Sequence, residues 1–95
     1  MTTEEIKCAN CIIERAFMQN ATEGEIVNTN FINPFVFKKM AAFLRYEGLV
    51  EIIRSGGWAE VYILTNKGHL LHESKKKIEG YLEEKEETKK IKALL

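Results

Sequence analysis

The chain has 95 residues, of which 45% are hydrophobic. It carries 14 Lys and Arg and 14 acidic residues, so its formal net charge is zero. These values are typical of one small domain with a hydrophobic core, and zero net charge argues against a bulk chromatin coat. No apolar run approaches the ~18 residues of a transmembrane helix, so we expect no membrane association. Residues 1–5 carry a net negative charge from Glu4 and Glu5, whereas a secretion signal begins with a positive segment, so we expect an intracellular protein.

The charges are unevenly distributed along the chain. Residues 34–77 carry eight Lys and Arg against four Glu, a local charge of +4, and the flanking segments are acidic by the same amount. A basic centre between acidic flanks indicates one face for an anionic partner and other faces exposed to solvent. All acidic residues are Glu, which favours a thermophilic source, whereas six asparagines argue against one.

The first predicted helix spans residues 3–19, with Thr3 as its N-cap. Its apolar residues form two stripes at helical spacing, and one stripe is enough to cover the core of a small domain. A second stripe therefore predicts burial against another subunit, which indicates a homodimer. The first stripe holds Ile6, Ala9, Ile13, Ala16 and Phe17, and the second holds Cys8, Cys11, Ile12 and Met18.

Two further helices predict a helix-turn-helix over residues 22–47. Thr22 and Glu25 have the spacing of a capping box, which predicts a short helix over 23–29 and a turn over 30–32. Asn33 can cap the next helix, which starts at Pro34 and runs to Glu47 before Gly48. The alternative for residues 25–28 is a short strand that pairs with the following hairpin.

A hairpin and a last helix complete the chain. The pattern predicts strands over 49–54 and 58–64 around a turn at 55–57, and together these form a wing. Thr65 can cap one long helix over 66–93, whose charged middle predicts that it projects and pairs with a second copy. The predicted fold class is therefore α+β, mostly helical: a single winged helix-turn-helix domain, 1–95, with a long C-terminal dimerisation helix.

A helix followed by a basic hairpin is a device for docking on double-stranded DNA. The helix from Pro34 to Glu47 is expected to read the major groove, where Phe35 can contact a thymine methyl group, and the wing to contact the backbone or minor groove. The alternative is that these cations form only a solvated helix face. The candidate DNA contacts are Asn33, Phe35, Lys38, Lys39, Arg45, Arg54, Ser55 and Gly56.

The cysteines and histidines leave three alternatives open. Cys8, Cys11, His69 and His72 could bind zinc if their helices pack together, and the thiols could instead be buried at a dimer face or form an inter-subunit disulfide. Apart from the zinc alternative, we expect no cofactor and no metal. The sequence shows no catalytic constellation, so we do not expect an enzyme. The candidate dimer contacts are Cys8, Cys11, Ile12, Ile78, Tyr81 and Leu82.

Two stretches, Lys39 to Glu51 and Tyr62 to Gly68, carry a family resemblance. The chain resembles the small dimeric winged-helix DNA-binding proteins of crenarchaea and their viruses, within the broad MarR/PadR kind, over about Thr22 to Tyr81. In that family the pattern leucine, threonine, any residue, lysine, glycine, matched by Leu64–Gly68, closes the wing and starts the dimerisation helix.

The resemblance implies a homodimeric, sequence-specific transcriptional regulator whose two recognition helices meet successive major grooves. It also implies an archaeal or archaeal-virus protein acting in the cytoplasm, the host cytoplasm if it is viral. Two other functions stay open: a winged-helix protein-interaction module, and a metal- or redox-responsive repressor using Cys8, Cys11, His69 and His72.

Overall fold

The computed structural model describes the backbone of residues 1–18, 21–55 and 59–94, and the side chains of these residues apart from 55, 59 and 90–94. The described elements alternate helices with a small antiparallel sheet, in which β3 lies between β1 and β2. In chain order they are α1 Thr3–Phe17, β1 Ala21–Thr22, α2 Glu23–Asn30, α3 Pro34–Tyr46, β2 Val50–Ser55, β3 Ala59–Leu64, α4 Asn66–Glu73 and α5 Ile78–Leu94.

The N-cap of α1 is Thr2, and the sequence expectation of Thr3 is wrong. Thr2 accepts a hydrogen bond from the Glu5 backbone N–H at 3.1 Å, and the Glu5 carboxylate accepts one from the Thr2 N–H at 2.8 Å. This reciprocal pair needs an acidic or amide side chain three residues after the cap. Thr2 has Glu5 at that spacing, whereas Thr3 would have Ile6.

The central residues of both apolar stripes of α1 are buried within this one chain. Ala9 and Ile13 from the first stripe and Cys8 and Ile12 from the second are all at most 6% exposed, because α1 packs against both α3 and β3. Within the second stripe, Cys8 and Ile12 need no partner subunit to cover them, whereas Cys11 is half-buried and Met18 is 60% exposed. Phe17, at the end of α1, is 43% exposed.

The helix-turn-helix is confirmed, and the strand alternative for residues 25–28 is wrong because they lie within α2. A two-residue strand precedes that helix instead, with Ala21 opposite Tyr62 and Thr22 opposite Val61. Thr22 is the N-cap of α2 and accepts a hydrogen bond from the Glu25 N–H at 3.3 Å. A strand of two residues is too short to show an alternating pattern in sequence.

The wing pairs β2 with β3 in an antiparallel register from Val50 opposite Leu64 to Ser55 opposite Ala59. The predicted strands are confirmed to within a residue at their described ends. The predicted turn at 55–57 and the start of the return strand at Trp58 lie outside the described residues, except for the backbone of Ser55.

The C-terminal region forms two helices, and the expectation of one helix over 66–93 is wrong. After α4, the Ser74 hydroxyl donates to the Leu71 carbonyl at 2.7 Å, and Lys75 adopts a left-handed backbone with φ 58°. Serine competes in this way for helix carbonyls, and residues 74–77 offer no apolar side chain to bury. The chain then turns so that Ile78, at 0% exposure, enters the core, where its N–H donates to the Asn10 side chain at 2.9 Å.

The core sits where α1, α3 and the sheet meet, and the start of α5 closes it. Its largest fully buried side chains are Ile12, Ile26, Phe37, Met40, Leu44, Leu49 and Ile78. Among the described residues, no helix combines the length and apolarity needed to cross a bilayer.

Candidate nucleic-acid interface

Helix α3 has a buried side and an exposed side, which the core and the helix ends together fix in place. Phe37, Met40 and Leu44 are at most 1% exposed and hold the inner side against α1 and the sheet. At the start of α3, the Asn33 side chain accepts a hydrogen bond from the Phe35 N–H at 2.8 Å. At the end, Gly48 adopts φ 72° and lets the Leu49 N–H bond the Leu44 carbonyl at 2.9 Å.

The opposite side of α3 is solvent-exposed, and we call it the α3 outer face. All of its side chains are exposed to solvent, and the spacing of these residues along the chain follows the helical repeat. It comprises Phe35, Lys38, Lys39, Ala42, Arg45 and Tyr46. The sequence-predicted contacts on α3 thus lie on one continuous surface, with Asn33 at its leading end.

Two cations of this face are unneutralised within the described part of the chain. No described carboxylate lies within ion-pair distance of Lys38 or Arg45. Lysine and arginine in such positions can bind phosphate oxygens or guanine acceptors. Their charges are therefore available to an external anion.

Lys39 differs, because it is joined to α1. Its Nζ lies 2.5 Å from the Glu5 Oε2, and its side chain is still 70% exposed. The hydrogen bond from Lys39, helped by the Thr2 N–H, lowers the pKa of Glu5 from 4.5 to about 2. Lys39 therefore connects α3 to the start of α1, and the Glu5 carboxylate offsets part of the attraction of Lys39 for an anionic ligand.

The wing contributes one described cation. Arg54 is 74% exposed on its side chain, and its guanidinium lies 3.9 Å from the Glu60 carboxylate on the paired strand. This loose pair offsets part of the charge of Arg54. The Ser55 side chain and Gly56 lie outside the described residues.

Two exposed aromatic residues near this surface were absent from the sequence-predicted set. Tyr46 is 89% exposed and follows Ala42 by one helical turn, so the helical spacing could have included it. Phe31 is 95% exposed and adopts a left-handed backbone, φ 53°, at the end of α2. Glycine or asparagine usually occupies such a position, so a phenylalanine there does not indicate this turn geometry.

The candidate dimer contacts divide into two groups. Cys8, Ile12 and Ile78 are at most 3% exposed and belong to the core of the single chain. Their side chains therefore do not reach the surface of this fold. Cys11, Tyr81 and Leu82 are half-buried and can still contribute to a surface.

The proposed zinc ligands do not come together. Among the described residues, no group of three or more His, Cys, Asp or Glu side chains is arranged to hold a metal ion. The His72 ring stacks on Phe17, with centroids 3.9 Å apart, and its Nε2 lies 3.1 Å from the Glu14 carboxylate. These contacts hold the imidazole beside the end of α1. The alternative that Cys8, Cys11, His69 and His72 together bind zinc does not agree with this arrangement.

Both cysteines are free thiols. Burial raises the pKa of Cys8 to about 11, and burial also raises the pKa of Cys11. Because the thiolate is the reactive form, both shifts lower thiol reactivity at neutral pH. An inter-subunit disulfide stays a prediction, and only Cys11 has a side chain partly at the surface.

Helix order, sheet order and hairpin together define a winged helix-turn-helix, and the solved structures that resemble this chain agree at the level of fold. Sso10a-2, a DNA-binding protein from Sulfolobus solfataricus, aligns with a TM-score of 0.57 and 23% identity, covering 100% of this chain and 97% of that one. The sequence-based resemblance to small winged-helix proteins of crenarchaea is thereby confirmed for the fold.

Two mutants of Lactococcus lactis ZitR are also similar in structure. One has a TM-score of 0.57 and 19% identity over 93% of this chain, which spans 60% of the length of that ZitR chain. The other has a TM-score of 0.55 and 19% identity, covering 99% of this chain and 73% of that one. No protein-family model and no curated protein matches the chain.

Proposed function

We propose that this protein is a non-enzymatic, sequence-specific binder of double-stranded DNA that regulates transcription inside the cell. The observation that carries the proposal is the α3 outer face, where Lys38 and Arg45 are exposed and have no described ion-pair partner. Sso10a-2, which is similar over the whole chain, is itself a DNA-binding protein.

The position of these cations supports groove binding over general surface charge. They lie on a helix whose inner side is locked into the core and whose end is fixed by Gly48. A rigid helix presented in this way fits the major groove, and the adjacent wing fits the sugar-phosphate backbone beside it. The total charge of zero favours binding at particular sites over uniform coating.

We further propose that two copies act together. A homodimer would present two α3 helices to successive major grooves about one helical turn apart, roughly 34 Å. Helix α5 supports pairing, because its exposed residues 83–89 have little of this chain's own core to pack on. The part of α5 beyond residue 82 extends only to Leu94, and isolated helices shorter than about 12–15 residues are only marginally stable in water.

The test is a salt titration of DNA binding. Fluorescence anisotropy of labelled mixed-sequence duplexes would give the dissociation constant at several salt concentrations. We expect affinity to fall linearly on a log–log plot, since each neutralised phosphate releases counterions. Lys38→Gln and Arg45→Gln should each weaken binding, and each lost phosphate contact should reduce the salt slope by about 1.

Lys77→Gln is the matched control, because it removes the same charge from the α4–α5 connection instead of α3. It should leave the slope unchanged. Absence of salt-sensitive binding even at low salt would overturn the proposal and favour a protein-interaction module. Equal effects of all three variants would show that binding follows net charge alone, without a role for the α3 outer face.

A further inference from the structure

The α3 outer face has an apolar centre with cations at its edges. With ~100° between successive residues, Phe35 and Ala42 lie within about 20° of each other around the helix axis. Lys38 is about 60° to one side of Phe35, and Lys39 is about 40° to the other side. Lysines therefore flank the line from Phe35 to Ala42 on both sides.

Phe35 is exposed, whereas a phenylalanine two residues later on the same helix is buried in the core. It is 82% exposed, at the first turn of α3, while Phe37 two residues later is 0% exposed. The first turn is the part of a recognition helix that reaches base edges. Phe35, Ala42 and Tyr46 lie along one line of this face with lysines beside it, and interfaces with other proteins are depleted in lysine.

In the major groove, the apolar group offered by DNA is the C5-methyl of thymine. Phenylalanine and alanine both make favourable contacts with it, whereas the other base edges present hydrogen-bond donors and acceptors. Lysines on either side of the apolar centre are placed to bind the phosphates that border the groove. The face thus matches a groove whose floor carries thymine methyl groups.

Building on the proposed function, we propose that Phe35, with Ala42 behind it, is a specificity-determining residue that recognises thymine methyl groups. The protein then prefers duplexes that present thymines beneath the start of α3. The lysines supply affinity for any sequence, and the phenylalanine supplies the preference. Specificity therefore depends on an apolar contact more than on hydrogen bonds to bases.

The test compares duplexes that differ only in this methyl group. Each mixed-sequence duplex is made in a thymine form and in a form with deoxyuridine in place of every thymidine, and both dissociation constants are measured at one salt concentration. We expect uracil to weaken wild-type binding about fourfold for each methyl contacted. Phe35→Ala should lower the ratio of the uracil to the thymine dissociation constants towards one, because the smaller side chain contacts less of the methyl group, and Phe35→Leu should retain most of the wild-type ratio.

The controls separate this inference from the proposed function. Leu70→Ala removes a 67% exposed apolar side chain from α4 and should keep the wild-type ratio of uracil to thymine dissociation constants. Salt-dependent binding with equal affinity for both forms would overturn thymine recognition and leave the proposed function standing. No salt-dependent binding of either form would overturn the proposed function.

A third outcome also decides. If Phe35→Ala weakens both forms equally and keeps the wild-type ratio, Phe35 positions the helix without reading methyl groups, and the inference is wrong. Because Phe35 is exposed and only its backbone N–H bonds Asn33, the variant is expected to fold, which circular dichroism checks.

Discussion

Residues Thr65, Lys67 and Gly68 hold the start of α4 against the end of α3. The Thr65 N–H donates to the Leu49 carbonyl at 3.1 Å, its hydroxyl donates to the Gly48 carbonyl, and its Oγ1 accepts from the Gly68 N–H at 3.1 Å. Lys67 Nζ donates to the Glu47 carbonyl at 2.9 Å. These bonds give a physical meaning to the pattern at Leu64–Gly68: it satisfies the carbonyls that follow α3.

Gly68 is required by space at this junction. A Cβ atom there would lie 2.1 Å from the Leu49 carbonyl oxygen, which is a backbone atom and cannot rotate away. We expect Gly68→Ala to lower the free energy of unfolding by about 3 kcal/mol or more, as forced overpacking does. Urea denaturation followed by circular dichroism measures this change.

Gly24→Ala is the matched control, because no atom lies within 4 Å of a Cβ built there. In helix α2 it should raise the free energy of unfolding by up to about 1 kcal/mol, since alanine is the better helix former. A Gly68→Ala variant as stable as wild type would contradict the close approach of α4 to Leu49.

At the scale of elements, α1 and α3 are joined by an ion pair between Glu5, which is 8% exposed, and the exposed Lys39. The same Glu5 closes the capping box of α1, so a single carboxylate serves both the start of one helix and the outer face of another. Its ionised form is therefore favoured by folding. This makes the α1–α3 contact dependent on pH.

We expect the stability contributed by ionised Glu5 to be present above pH 4.5 and lost as the pH falls towards 2, because folding lowers its pKa from 4.5 to about 2. Glu5→Gln keeps a side chain suited to the capping box but removes the charge. The difference in melting temperature between wild type and Glu5→Gln should therefore shrink over this range. Thermal unfolding at a series of pH values measures it.

Glu4→Gln removes a neighbouring exposed carboxylate from the same helical turn and serves as the control. Its difference from wild type should change less over the same pH range. A Glu5→Gln variant whose melting temperature parallels that of wild type from pH 5 to about 2 would show that this pair does not contribute to the pH dependence.

Sequence predicted the elements whose signals are local. Helix α3 has a capping residue, a proline in its first turn and a glycine after its end, and its bounds agree with the structure to within a residue. In β2 of the wing, the more buried Val50 and Ile52 alternate with the exposed Glu51 and Ile53. These features follow from the chemistry of neighbouring residues.

The features that sequence missed depend on tertiary contacts. The break between α4 and α5 depends on Asn10 of α1, which accepts a hydrogen bond from the Ile78 N–H and donates one to Glu79 at 2.8 Å. The burial of Cys8, Ala9, Ile12 and Ile13 on α1 depends on how α3 and β3 surround the helix. For the site, helical spacing gave the outer face of α3, but neither the Lys39–Glu5 pair nor the turn at Phe31 has a local signal.

At the scale of the whole molecule, α5 is the element through which the proposed dimer would pair. The described side chains from Glu83 to Lys89 are exposed and charged or polar, whereas Tyr81 and Leu82 are half-buried at the point where α5 leaves the core. The molecule measures 49 Å in its longest dimension and 26 Å and 21 Å in the others. A second chain can therefore reach the exposed side chains 83–89 of α5.

We expect sedimentation equilibrium to give twice the mass of the chain over the concentration range used for DNA binding. Leu82→Lys should shift the mass towards that of one chain, because it places a charge at the half-buried side of α5. Leu70→Lys, on exposed α4, should not. A wild-type mass of one chain at every concentration would contradict the proposed dimer, and circular dichroism confirms that each variant is folded.

Glu47, the residue that ends α3, also connects that helix to α5. Its side chain is 8% exposed, and its carboxylate accepts hydrogen bonds from Lys85 and, at 3.3 Å, from the Tyr81 hydroxyl. In the proposed dimer, this contact fixes the angle between each recognition helix and the shared axis of the pair. The number of base pairs between the two half-sites would then be set far from any base, by one carboxylate that touches no DNA, and an operator lengthened by one base pair would rotate one half-site out of phase.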